Sequence, residues 1–208
     1  MVREIRIYVE GGGDQANGKK KFREGIGNFL NSLREDARNK KIKWSIIACG
    51  GRQSTYDAYC YALKDHPLAA NFLLVDSEEE VVMGSTCSDH LKRQDRWNMS
   101  GIDDAYVHLM VQVMENWLIA DVDTLAAYYG ARFNRSSIPD SLDIEMVPKS
   151  SVGTALENAT KNTKKGEYHK IRHGPDILGQ VDVATVRGRA RHCDNLFICI
   201  QGLINSTV

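Results

Sequence analysis

Glu10 closes the segment IRIYVE and is followed at once by Gly11, Gly12, Gly13 and Asp14. Asp76, Ser77, Glu78, Glu79 and Glu80 follow the apolar run NFLLV, and Glu115 lies just beyond AYVHLMV. Carboxylates gathered from separate segments must be hydrated, paired or metal-bound, because unpaired buried charge is expensive. No matched basic residues accompany them, so a hard divalent cation that favours oxygen ligands, Mg²⁺ or Mn²⁺, is the natural neutraliser. Asp76 and Glu78 stand two apart, and along an extended chain that spacing points both to one side, where they can share an ion. The competing reading is that residues 76–80 simply open the next helix, where acids suit the N-terminal dipole. The glycines after Glu10, Gly11 first, free the backbone to turn sharply and let a phosphate or metal come close. GGGDQANGKKK has neither the Walker order nor a GxGxxG dinucleotide fingerprint.

Cations that would serve phosphate chemistry lie elsewhere. Arg52 follows a Gly-Gly turn and is a candidate for phosphate binding. Lys170 and His173 are three apart and share a face if their segment is helical. A cation there would stabilise the charge that builds on a phosphodiester under attack. An ordinary exposed basic helix explains the same spacing. The remaining histidines lack ligand spacing, and His108 is most simply a core or edge residue.

These side chains need a frame that gathers strand ends. Residues 3–9 alternate in polarity and are rich in β-branched and aromatic types, which predicts a strand. Phe22, Ile26, Phe29, Leu30 and Leu33 recur at helical spacing and predict one amphipathic helix from Lys19 to about Arg38. KWSIIACGG reads as a second strand, residues 55–66 as a helix stopped near Pro67, and Phe72 to Val75 as a nearly continuous apolar strand. A fourth strand is expected at Ala105 to Val111, then one helix running to Gly130. Within that helix Trp117, Leu118 and Ile119 read as core, and Asp121 as a ligand, a helix cap or a structural partner. Residues 133–150 read as loop, and three short helices should follow: SVGTALENATKN, the region from Tyr168 to Val181, and CDNLFICIQGLI. Apolar strands alternating with helices imply an α/β fold with a mostly parallel sheet flanked by helices and right-handed crossovers. The expected division is an α/β catalytic domain over 1–130 and a loop with C-terminal helices over 131–208. In such sheets functional groups gather at the carboxyl ends of the strands.

With 208 residues the chain can bury a proper core. Its five cysteines are scattered and show no CxxC spacing, so reduced thiols and a cytoplasmic setting are expected. No run of about 18 apolar residues suggests a membrane span, and the start enters a strand directly rather than a secretory signal. Lys plus Arg equals Asp plus Glu at 27 each, so no overall basic excess announces nucleic acid. Local basic runs are nevertheless present at 18–23, 38–43 and 161–173, each most simply a solvated face.

A strand ending in Glu-Gly, then helix, strand, helix, and an apolar strand ending in Asp-x-Glu, resembles the TOPRIM fold of topoisomerases, primases and OLD-family nucleases. More closely, the chain is similar to short bacterial TOPRIM-like proteins of unknown function related to RloB-type and OLD-type nucleases. The segments that carry this are VEGGGD (9–14), CGGR (49–52), LLVDSEE (73–79), MENWLIAD (114–121) and YHKIRHGPDILGQVD (168–182). The resemblance implies Glu10 as general acid or base or as metal ligand, and Asp76 with Glu78 as the metal-binding pair. TOPRIM enzymes more often carry Asp where Glu78 stands. A second metal, about 4 Å from the first, would need a further carboxylate, for which Glu115 is the candidate. The implied function is Mg²⁺- or Mn²⁺-dependent cleavage of a phosphodiester in DNA or RNA. The implied alternatives are an effector active only with an ABC-type ATPase partner, as in phage-defence or DNA-repair operons, and a degenerate TOPRIM fold used only for binding. The apolar face of the C-terminal helix could pack inside or support a homodimer.

Overall fold

The computed structural model describes residues 2–206. Four strands, β1 (Glu4–Glu10), β2 (Lys43–Gly50), β3 (Ala70–Asp76) and β4 (Val107–Met110), form one all-parallel sheet in the order β2-β1-β3-β4. The chain passes from β1 outward to β2, then returns across β1 to β3. The strand order therefore reverses between β1 and β3, which leaves a crevice at their carboxyl ends.

Alternation along the central strands divides the core into two layers. Ile5, Ile7 and Val9 of β1 and Phe72 and Leu74 of β3 face one layer, while Tyr8, Leu73 and Val75 face the other. All seven residues of β3 are buried. The second layer is closed by α3 (Arg52–Asp65) and α4 (Cys87–Asp95). On the first face lie α1 (Ala16–Phe29), α2 (Asn31–Asn39), α5 (Met114–Ala120), α6 (Val122–Tyr129), α7 (Lys149–Thr160), α8 (Gly174–Leu178), α9 (Val183–Arg189) and α10 (Arg191–Asn205). Their apolar side chains join one continuous hydrophobic cluster that reaches Ile200 and Ile204 of α10. The buried Trp117 ring stacks on Phe29 at 5.1 Å, and Phe197 meets the other edge of Phe29 at 5.7 Å. The apolar face of α10 is thus spent inside this fold.

Several expected elements are differently cut. The single helix expected from Lys19 to Arg38 is two, joined at Leu30, where Gly25, Gly27, Asn28, Asn31 and Ser32 weaken helical propensity. The helix expected to reach Gly130 breaks at Asp121, whose carboxylate accepts from the Thr124 amide (3.0 Å) and hydroxyl (2.7 Å) and starts α6. Asp121 also accepts from the Asp182 amide at 2.8 Å, tying the tail to this break. Residues 76–80 open no helix: α4 begins at Cys87, capped by the Thr86 hydroxyl, which accepts from the Asp89 amide. Helix α9, capped by Asp182, was not expected, and 3-10 turns at 135–137 and 144–146 interrupt the expected loop. Tyr168 and His169 have no regular structure and residues 170–173 form a turn ahead of α8, so Lys170 and His173 share no helix face. Among the described residues no helix is long and apolar enough to cross a membrane.

Candidate metal centre

Glu10 and Asp76 flank the crevice where the strand order reverses. Val9 pairs with Ala48 but Glu10 with Gly50, so Cys49 is an extra residue that bends β2 beside the acid. The Gly11 amide donates to the Gly50 carbonyl at 2.9 Å and carries the chain away. Gly11 and Gly12 have positive φ of 142° and 84°, and a Cβ on Gly11 would lie 2.5 Å from the Phe22 ring. At these positions glycine is required both for the turn and for its close seating on α1.

One carboxylate oxygen each from Glu10, Asp76 and Glu78 lies within 4.8 Å of the other two. Oxygens around a single hard cation at about 2.0–2.6 Å are at most about 4–5 Å apart, so this spacing suits one ion. Asp76 is 2% exposed, accepts from the Met114 amide at 2.8 Å, and pairs with the Lys170 ammonium at 3.1 Å. Glu10 accepts from the Asp76 amide and from Arg52, both at 3.2 Å. Glu78 arrives by a route the extended-chain spacing did not contain. Its backbone is left-handed, with φ of 67°, its amide donates to the Gln112 carbonyl at 2.8 Å, and Lys149 from the start of α7 pairs with its carboxylate. A left-handed glutamate is strained by about 1–2 kcal/mol, which its neighbours must offset.

Burial first, then the nearby Asp76 charge, push the Glu10 carboxyl up to about 7, against the opposing pull of Arg52. Burial likewise raises Asp76, to about 6; Lys170 opposes this and Glu115 adds to it. Both groups therefore resist ionisation more than their ordinary values allow. The expectation that no matched basic residues accompany these acids does not hold, since Arg52, Lys149 and Lys170 each pair with one of them. The donor set, carboxylate oxygens throughout, is still of the kind a hard divalent cation takes.

Glu115 is placed beside this cluster but not in it. Its two oxygens accept from the Tyr168 hydroxyl at 2.9 Å and pair with Lys170 at 3.3 Å. Lys170 consequently bridges Asp76 and Glu115. Burial works against its charge, but the two carboxylates outweigh it and raise its pKa. Tyr168 is held well above the ordinary phenol range by burial and by Glu115, so it stays a hydrogen-bond donor. Arg52 is engaged by the protein itself: a two-pronged pair to Asp95 (2.6 and 2.7 Å), a bond to the Asp76 carbonyl, the contact with Glu10, and a Trp97 ring 5.2 Å away. His173 lies away from the carboxylates. It is buried against Tyr129, whose hydroxyl is 3.0 Å from its Nδ1. Reasoning from sequence missed Tyr168, Asp95 and Lys149, because each acts through a contact distant along the chain. His108 is buried in β4, with burial pushing its pKa down to about 4.

Beside the carboxylates is a cavity of about 180 Å³ lined by Glu10, Gly11, Asp76 and Lys170 together with Phe22, Met114, Ile171 and Pro175. Its lining combines acid groups with apolar side chains. The tail turn that carries Lys170 also carries Ile171 over the glycine loop, where a Cβ on Gly13 would come within 2.9 Å of the Ile171 methyl.

Comparison with curated proteins and with solved structures gives no match. The family model described as a domain of unknown function (DUF4276) matches residues 9–200, a span that includes all of these site residues. The chain belongs to the DUF4276 family.

Proposed function

We propose that this protein is a divalent-cation-dependent phosphodiesterase acting on DNA or RNA, with a TOPRIM-like site in which Glu10, Asp76 and Glu78 hold Mg²⁺ or Mn²⁺. The observation that carries this reading is the convergence of three carboxylates within 4.8 Å at the crevice between β1 and β3. A bound divalent cation supplies Lewis acidity toward a phosphoryl oxygen and toward water.

The chain's own residues do the rest. Met114 through its amide, and Lys170 through its ammonium, fix the Asp76 carboxylate in place. Arg52 holds Glu10 beside it and is itself locked by Asp95. Glu10, raised to about 7, can accept or return a proton near neutral pH, the role of a general acid or base. Lys170 is half-exposed and lines the cavity, so its ammonium reaches a phosphate bound there as well as the acids. Tyr168 positions Glu115, and Glu115 in turn positions Lys170. The five free thiols agree with a cytoplasmic setting.

Nicking of plasmid DNA and cleavage of RNA in Mn²⁺ test the proposal. Wild type should cut at least one, and Glu10→Ala and Asp76→Ala should each abolish the cut. Activity that persists in both variants defeats the site assignment.

A second reading draws on the lysines. Lys170 and Lys149 already occupy the acids from two sides, an arrangement that suits a resting effector opened by a partner such as an ABC-type ATPase. Protein that binds Mn²⁺ yet cuts nothing until an ATPase is added would favour this second reading.

A further inference from the structure

Two of the three basic runs meet on one surface beside the carboxylates, and apart from Lys170 the site does not use their cations. Pro175, on the wall of the carboxylate cavity, also borders the next depression outward, which contains Lys21 and Lys165. That depression shares Glu24 and Asn28 with a third, which contains Lys20, Arg23 and Arg34. All three depressions border α1, whose 14 residues span about 21 Å, and each shares lining residues with the next. In the two outer depressions five cations stand against two carboxylates, Glu24 and Asp176, and Arg34 lies 3.8 Å from Glu35. Asp176 is already bonded to Lys21 at 2.9 Å and to the Tyr128 hydroxyl at 3.2 Å. Lys20, Arg23 and Lys165 are exposed and have no ion-pair partner among the described residues. Lys165 sits 4.3 Å over the Tyr128 ring, which positions its charge beside the depression it lines.

We propose that these depressions form one groove, the path of a single-stranded polynucleotide whose phosphates run over α1 and deliver one unit of the strand into the carboxylate cavity. The charge is complementary to a phosphate backbone, and the row of cations tracks it without reading bases. A single strand is favoured because the cavity, at about 180 Å³, is close to the roughly 150 Å³ that accommodates one benzene ring. It has room for one ring-sized unit and none for a base pair. The inference rests on the phosphodiesterase reading for its cavity end, but the groove itself is tested by binding alone.

Fluorescently labelled 20-mers of single-stranded DNA, single-stranded RNA and duplex DNA are titrated in EDTA at several KCl concentrations. A single strand should bind more tightly than the duplex, and whichever sugar binds better names the natural strand. Each neutralised cation should flatten the plot of log affinity against log salt by about 0.7, so Lys20→Gln, Arg23→Gln and Lys165→Gln combined should flatten it by about 2. Glu24→Gln should tighten binding. Hydrolysis of bis(p-nitrophenyl) phosphate in Mn²⁺ reports separately on the carboxylates, because so small a diester does not reach the groove. The proposal is overturned if the triple variant binds with wild-type slope, if duplex binds better, or if wild type binds no strand in a salt-dependent way. Failure of the small diester to react would defeat the catalytic reading while the binding results still decide the groove.

Discussion

In an unfolded chain the Glu10 carboxyl loses its proton near pH 4.5, whereas in the fold it holds it to about 7; for Asp76 the values are 3.8 and about 6. Between roughly pH 4 and 7 the folded state therefore binds more protons than the unfolded one, and these two groups make stability fall as pH rises through that window. Replacing Glu10 by its neutral isostere removes part of this cost. Glu10→Gln should lose less stability than wild type between pH 5 and 7.5. It should also melt at least about 2–4 °C higher at pH 7.5, the shift that about 1 kcal/mol produces in a chain of this size. Thermal melts across pH check this, and parallel curves for the two proteins would contradict it. Tyr168→Phe acts in the opposite direction, because it removes a donor from the buried Glu115 carboxylate. That loss should cost about 1–3 kcal/mol in urea unfolding.

Helix α1 can seat against its neighbours only because certain side chains are missing. A Cβ on Gly18 would lie 2.2 Å from the Gly12 carbonyl oxygen, and one on Gly25 would lie 2.3 Å from that of Pro175. Gly25→Ala should thus cost about 1–3 kcal/mol by prising α1 from α8. Gly153 lies inside α7 with open space around it, so Gly153→Ala should stabilise by about 0.5–1 kcal/mol. Urea unfolding of both variants checks the opposite signs. The strands were legible in the sequence because β-branched alternation and glycine stops are local signals. The break at Asp121 was legible through the helix cap that residue offered, whereas the break at Leu30 has no side-chain cap and left only weak propensity as a signal. What no local pattern contained was the left-handed turn at Glu78, set by Gln112 and Lys149, or the turn that sends Lys170 to Asp76.

Across the whole molecule, the reversal of strand order and the return of the tail do the same work from opposite sides. The reversal sets Glu10 and Asp76 on either side of a crevice, and the tail roofs that crevice with Lys170 and Ile171. Acids at strand ends were readable from position alone, because parallel sheets concentrate chemistry at that edge. Their neutralisation by Arg52, Lys149 and Lys170 was not, since each cation comes from a different part of the chain. The central claim, that these acids hold a divalent cation, is tested by melting wild type and Asp76→Asn with increasing Mn²⁺ at pH 7.5 and 5.5. Asparagine retains the oxygen that caps the Met114 amide while removing the charge. Wild type should gain about 2.7 kcal/mol when Mn²⁺ reaches a hundred times its Kd at pH 7.5. It should gain less at pH 5.5, where protons compete for Glu10 and Asp76, and the variant should gain little at either pH. Wild type that is indifferent to millimolar Mn²⁺, or a variant that gains as much, would contradict the claim.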